Sequence, residues 1–376
     1  MTKGATAQMR IFEKLAEYRY EQVVFCHDKY TGLRAIIVVH NTTLGPALGG
    51  CRMYSYASED EAVTDALRLA RGMTYKAATS GLNLGGGKSV IIGDPEEDKS
   101  EALFRSFGRY VETLGGRYIT AEDVGTSIED MENIRLETSH VAGVDVTHGG
   151  SGDPSPFTAL GVEQGMLACA EEVFGTPSLK GLTVAVQGLG HVGYQLCKLL
   201  HAEGTRLIVA DLNPSLTKKA VREFGAKRVE PDEILSFPCD VLAPCALGAV
   251  VNDGSLPKLR CSIVAGSANN VLAKSYHGAA LSERGILYAP DYVINAGGLI
   301  NIADELEGYN EQRATKRVMR IRDSVQRVIA ISKRDHVPTT IAADTLALER
   351  IDAIGSMVRL HTGHPYGMPH RRRETI

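Results

Sequence analysis

Thr183-Val184-Ala185-Val186-Gln187-Gly188-Leu189-Gly190-His191-Val192-Gly193 is an apolar run that feeds directly into a Gly-x-Gly-x-x-Gly. The run has the length and β-branching of a buried strand, and a helix is predicted after the glycines. Arg206–Ala210 reads as the next strand, with Asp211 at its end. Three spaced glycines alone carry little information, and an ordinary strand-turn-helix crossover is the plain alternative. Between a strand and a helix they fit a dinucleotide turn. The glycines permit the bend and the close approach of a pyrophosphate, the helix N-terminus attracts its charge, and Asp211 can bond a ribose hydroxyl. A 2′-phosphate would meet the negative charge of Asp211, so NAD is expected as the cofactor rather than NADP, with Lys218 and Lys219 as a nearby counterweight.

Working outward towards the C-terminus, Asp240–Ala243, Ser262–Ala265 and Ile286–Tyr288 read as short strands alternating with helical patterns, which predicts a doubly wound parallel sheet. The segments after them carry Cys245-Ala246, Ser267-Ala268-Asn269-Asn270 and Asn295-Ala296-Gly297-Gly298. They fall at the carboxyl edge, where such sheets take ligands, although Asn and Gly are also common turn formers. Two long helices are predicted near 310–334 and 340–360, followed by a poorly ordered tail over 361–376.

Towards the N-terminus, His148–Pro156 (HGGSGDPSP) is the strongest linker signal, which divides the chain into residues 1–148 and 149–334. Val23–Phe25 and Ala35–Val39 read as strands of a first sheet. Ser58 and Glu61 form a capping box for a helix that carries Lys76 and runs to about Ala78, where Gly81 stops it. Gly81-Leu82-Asn83-Leu84-Gly85-Gly86-Gly87-Lys88 follows as a glycine-rich bend with one amine at its end. A surface lysine after a turn is the plain alternative. A triphosphate loop is excluded, because Leu82 stands where that motif needs a glycine and Val90–Ile92 reads as a strand where it needs a helix. Asp123 lies just past the predicted strand Arg117–Thr120, before a helix cap at Ser127.

A chain of 376 residues predicts two domains, and a formal net charge of -4 gives no reason to expect nucleic acid or an anionic membrane as partner. No stretch is apolar enough to span a bilayer and no leader pattern opens the chain, so a cytoplasmic protein is expected. Seven cysteines without a Cys-x-x-Cys pair predict neither a disulfide framework nor a metal site.

Several stretches together resemble the leucine, phenylalanine and valine branch of the amino-acid dehydrogenases, relatives of glutamate dehydrogenase: His40–Gly50 (HNTTLGPALGG), Arg71–Lys76 (RGMTYK), Gly85–Lys88 (GGGK), Ala243–Gly248 (APCALG) and Tyr288–Tyr292 (YAPDY). The resemblance extends to about residue 352 and implies an α/β substrate domain, a Rossmann domain, a cleft between them, and a C-terminal helix, 335–360, that crosses back. It further implies a homo-oligomer, octamer or dimer. Oxidative deamination needs a cation for the substrate carboxylate, a group that manages the amine protons, and a base that activates water. By resemblance, Lys76 with the backbone near Gly45 holds the carboxylate, Lys88 is the base, and Asp123 exchanges protons with the amine. A neighbouring Lys76 and closure of the cleft are expected to lower the pKa of Lys88.

The side-chain pocket carried over by resemblance comprises Leu44, Ala121, Leu299 and Ile302, with Asn270 also facing the substrate. The dinucleotide is expected against Gly188, Leu189, Gly190, His191, Val192, Gly193, Asp211, Cys245, Ala246, Ala268, Asn269 and Asn295. Leu44 and Ala121 match leucine enzymes, whereas Leu299 matches phenylalanine enzymes. Branched-chain amino acids (leucine, isoleucine, valine) are therefore expected as substrates, with a phenylalanine dehydrogenase or a catalytically silent NAD-binding sensor as alternatives. A 2-hydroxy-acid dehydrogenase would want a histidine base and a carboxylate-binding arginine where this chain has lysines.

Overall fold

The computed structural model describes residues 11–357. The tail expected over 361–376, and residues 358–360 of the expected final helix, lie outside them. In chain order the first elements are α1 (Ile11–Tyr18), β1 (Gln22–Asp28), β2 (Leu33–Asn41), β3 (Ala47–Tyr54), α2 (Glu59–Thr79), β4 (Gly85–Ile92), α3 (Glu101–Thr113), β5 (Tyr118–Glu122) and α4 (Ile128–Arg135). Their strands form one sheet in the order β1-β2-β4-β3-β5, with β1-β2 and β2-β4 antiparallel and the rest parallel. The second set comprises α5 (Ser155–Phe174), β6 (Thr183–Gln187), α6 (His191–Ala202), β7 (Arg206–Ala210), α7 (Pro214–Phe224), β8 (Lys227–Arg228), β9 (Val241–Pro244), β10 (Ile263–Val264), α8 (His277–Glu283), β11 (Leu287–Tyr288), α9 (Asp291–Ile294) and α10 (Gly297–Asp304). Its six strands are all parallel in the order β11-β10-β9-β6-β7-β8. Numbered from β6, that order is 3-2-1-4-5-6, the doubly wound dinucleotide arrangement whose switch point lies between β6 and β9. The last elements among the described residues are α11 (Glu311–Met319), α12 (Ile321–Asp335) and α13 (Thr339–Gly355).

Helix α2 starts where the sequence predicts, with Ser58 Oγ accepting the Glu61 N–H at 3.1 Å. The box closes differently, because the Glu61 carboxylate takes the N–H of Ala57 rather than that of Ser58. The three glycines at 85–87 are not a bend. They are the first residues of β4, between β2 and β3, and Lys88 sits inside the strand. Packing explains the difference: a Cβ on Gly86 would lie 2.0 Å from the backbone nitrogen of Thr74, so α2 crosses β4 too closely for any side chain there. The helix expected over 310–334 is also two helices. At Arg320 the N–H bonds the carbonyl of Arg317, and this tighter i→i−3 turn closes α11 before α12 begins.

Helix α13 returns to the first sheet, as expected for the C-terminal segment. Ala347 and Ile351 pack on Leu44 and Ala78, and the Arg350 guanidinium bonds the carbonyls of Ala78, Gly81 and Leu82 and the side chain of Asn83. One ion therefore ties α13 to the end of α2 and to the segment that follows it, while the Lys76, Ala77 and Thr79 carbonyls are taken by Ser80, Leu82 and Ser324. The stretch between the two sheets is fixed by Glu305, whose carboxylate accepts the N–H groups of Gly143 and Ser151, each at 2.8 Å.

Candidate active site

Three neighbouring strands converge on one point. Lys88 on β4 is 4% exposed, and its Nζ donates to Oδ2 of Asp123, just past β5, at 2.6 Å. Gly50 on β3 lies beneath both: a Cβ there would come within 2.7 Å of the Asp123 Cβ and 3.3 Å of the Lys88 Nζ. Glycine at 50 is thus what lets the amine and the carboxylate meet. Burial pushes the Asp123 carboxyl up, but Lys88 and Arg52 outweigh it and hold the group below the usual carboxylate range. Burial likewise lowers the Lys88 ammonium, against the opposing pull of Asp123. Arg52 adds to the lowering, its guanidinium sharing the same carboxylate oxygen at 3.0 Å, and it is a cation the sequence did not point to.

Lys76, on the last turn of α2, donates to Oδ1 of Asn295 at 2.8 Å, a contact that crosses from the first sheet's elements to those of the second. Burial lowers its pKa to about 8, with Asp291 and Asp123 pulling upward and Lys88 downward. Asn295 lies in the short turn between α9 and α10, whereas Gly297 and Gly298, expected in the same loop, already belong to α10. Both its amide hydrogens are engaged, by the Ser267 carbonyl at 3.1 Å and by Asn269 Oδ1 at 2.7 Å.

The side-chain positions separate. Ala121, Leu299 and Ile302 share one apolar cluster that joins β5 to α10, whereas Leu44 packs with Tyr75, Ala78, Ala347 and Ile351. Gly45 lies against the start of β4, its carbonyl accepting the Gly85 N–H at 3.2 Å. Asn270 has a left-handed backbone, φ 51°, and receives Arg68 Nη1 at 3.3 Å.

At the switch point, Gly188 has φ 94°, and a Cβ on it would come 2.7 Å from the Cβ of Ala246, so the turns after β6 and β9 touch. Gly190 caps α6 without a side-chain bond, and nothing lies within 4 Å of where its Cβ would be. His191, Val192 and Gly193 form the first turn of α6. Asp211 follows β7 and accepts the N–H groups of Leu189 at 2.6 Å and Asn213 at 2.7 Å. Lys219 is drawn away over the Tyr194 ring at 4.1 Å. Cys245, Ala246, Ala268 and Asn269 line the same carboxyl edge, after β9 and β10. Open backbone at a helix N-terminus with an acid at the next strand end fits a dinucleotide. Among the described residues no group of His, Cys, Asp or Glu could hold a metal ion, and no helix is long and apolar enough to cross a membrane.

Sequence reasoning missed Gly50, Arg52 and Asp291. Gly50 ends the quoted His40–Gly50 stretch, Arg52 lies two residues past it, and Asp291 lies inside Tyr288–Tyr292, so the signal was present without a role attached to each position.

A doubly wound domain whose ligand edge faces a second α/β domain bearing a buried Lys-Asp pair defines a dehydrogenase. Residues 20–140 match the Glu/Leu/Phe/Val dehydrogenase dimerisation domain, and residues 213–356 match the Glutamate/Leucine/Phenylalanine/Valine dehydrogenase domain. The chain belongs to this family and is an amino-acid dehydrogenase. It is 59% identical to a leucine dehydrogenase from Bacillus cereus over 358 residues, covering 95% of this chain and 98% of that protein. To a phenylalanine dehydrogenase from Bacillus thermotolerans it is 47% identical over 358 residues, covering 94% and 93%. The crystal structure of L-tryptophan dehydrogenase from Nostoc punctiforme superposes with a TM-score of 0.83 at 46% identity, covering 92% of this chain and 99% of that one.

Proposed function

We propose that the protein catalyses the reversible, NAD-dependent oxidative deamination of branched-chain L-amino acids (leucine, isoleucine and valine) to 2-oxo acids and ammonia. The observation that carries this reading is the buried Lys88–Asp123 contact over Gly50, with Lys76 reaching the dinucleotide edge at Asn295. Lys76 holds the substrate carboxylate, supported by the backbone at Gly45. Asp123, kept ionised by its two cations, exchanges a proton with the substrate amine. Lys88, whose pKa burial lowers, takes a proton from water as that water attacks the imine carbon. NAD, when bound, supplies the hydride acceptor. The turn Gly188–Gly193, Asp211 and the edge residues Cys245, Ala246, Ala268, Asn269 and Asn295 would hold it. In this reading residues 1–148, joined by α13, form the substrate-binding and oligomerisation domain, and residues 149–334 form the NAD domain.

The preference for branched chains draws on the identity to leucine dehydrogenases and on the apolar lining of Ala121, Leu299 and Ile302, where a glutamate side chain would bury an unpaired carboxylate. Leu299 favours phenylalanine as the second reading. NADH formation across a panel of L-amino acids decides between them: leucine, isoleucine and valine should be oxidised with graded specificity constants. Phenylalanine above leucine would transfer the assignment to the second reading, and no NADH from any amino acid would sink both. A homo-oligomer, octamer or dimer, completes the proposal, supported by the edge strand β1 and its exposed Phe25. So does a cytoplasmic location, where the soluble pools of NAD and amino acid meet.

A further inference from the structure

The Lys88–Asp123 pair does not end at Asp123. Arg52 Nε donates to the carboxylate oxygen that Lys88 already holds, at 3.0 Å, and Arg52 Nη1 donates to Asp65 Oδ2 on α2 at 2.9 Å. Asp65 also receives the Tyr56 hydroxyl at 2.9 Å and Arg68 Nη2 at 2.9 Å, and Arg68 Nη1 reaches Asn270 beyond β10 at 3.3 Å. Alternating charges thus run from the catalytic amine to the dinucleotide edge. The side chains of Arg52 and Asp65 are 22% and 17% exposed, so this part of the chain is only lightly screened by solvent.

We propose that Arg52 is a positioning residue for the deamination reaction: its guanidinium fork fixes which oxygen of Asp123 faces Lys88 and ties that pair, through Asp65 and Arg68, to Asn270 on the NAD domain. This rests on the function proposed above. A lysine could supply the charge but not the two divergent donors that span Asp123 and Asp65. With Oδ2 held by two cations, Oδ1 is the oxygen left to meet the substrate amine. The groups facing Asp123 are three cations, Lys88, Arg52 and Lys76, against the carboxyl of Glu122 and the side chains of Tyr56, Tyr118 and Cys51. Loss of Arg52 leaves Lys88 as the one side chain bonded to the Asp123 carboxylate among the described residues and removes a cation that disfavours protonation of Lys88; both changes raise the pKa of Lys88.

The test compares the wild-type enzyme, Arg52→Gln and Arg52→Lys in L-leucine oxidation with NAD across pH. Arg52→Gln should lower kcat at least about tenfold, with KM for NAD within about twofold of wild type, and should move the rising limb of kcat up by about one pH unit. Arg52→Lys should restore the position of the limb while kcat stays several-fold down. An unmoved limb in Arg52→Gln, with or without a fall in kcat, overturns the proposal and leaves Arg52 a structural role only. If Arg52→Gln does not fold, Arg52→Lys carries the test, and wild-type kcat in that variant overturns the proposal equally. Absence of activity in the wild-type enzyme would instead be a failure of the function proposed above.

Discussion

A lysine with its ordinary pKa near 10.4 is almost wholly protonated at pH 8 and makes a poor base. Lys88 is placed where burial lowers it, so deamination should rise into alkaline pH as Lys88 and the substrate amine lose their protons. A rate profile peaking below pH 7 would contradict the assignment. Lys88→Ala should cut kcat by roughly a hundredfold or more while NAD binding holds, whereas Lys76→Ala should impair amino-acid affinity as well as turnover. Lys76 carries a second consequence. With its pKa lowered to about 8 in the free protein, it is largely uncharged above pH 8, yet a substrate carboxylate favours the charged form. Binding of a 2-oxo acid above that pH should therefore take up a proton, and calorimetry in buffers of different ionisation enthalpy reads this directly. Binding heats independent of the buffer would show that Lys76 is already charged.

Among the elements, β4 and α2 define the floor of the site. Gly86→Ala drives a Cβ into the backbone of Thr74, and neither the strand nor the helix has a flexible side chain to move aside. The variant should lose about 3 kcal/mol of stability, read by denaturant unfolding, and its activity should fall because Lys88 moves with the strand. A variant as stable as wild type would mean that α2 shifts freely. The sequence showed that α2 stops near Gly81, because caps are local signals. It did not show that three glycines form a strand, because the cause is a helix pressing from 12 residues earlier in the chain. Arg52, Asp65 and Asp123 were illegible as a group for the same reason: they come from β3, α2 and the end of β5, and only the sheet order brings them together. The Gly188 turn was fully legible, since strand, glycines, helix and acid all lie within one stretch of chain.

The cofactor preference belongs to the second sheet as a unit. Asp211 is held by two backbone N–H groups with its charge at the turn, and Lys219 is occupied over Tyr194, so little compensates a 2′-phosphate. Specificity constants should favour NAD over NADP, and Asp211→Ala should narrow the gap; equal constants in the unmodified enzyme would show that Lys218 or Lys219 compensates after all. In the function proposed above substrate choice depends on both lobes, because Ala121 comes from the first sheet and Leu299 from α10, and the two share one apolar cluster. Ala121→Gly should shift preference towards phenylalanine, and an unchanged ratio would place the side chain elsewhere.

The chain passes from the elements of the first sheet to those of the second once, between α4 and α5, and α13 returns to the first. Arg350 fastens the returning end and Glu305 the outgoing one. Two crossings pinned in this way predict that any relative movement of the lobes is a swing about the line between them rather than a slide or twist. In the function proposed above, such a swing would bring Lys76 back to the same asparagine at each closure, which makes the alignment of substrate and cofactor reproducible.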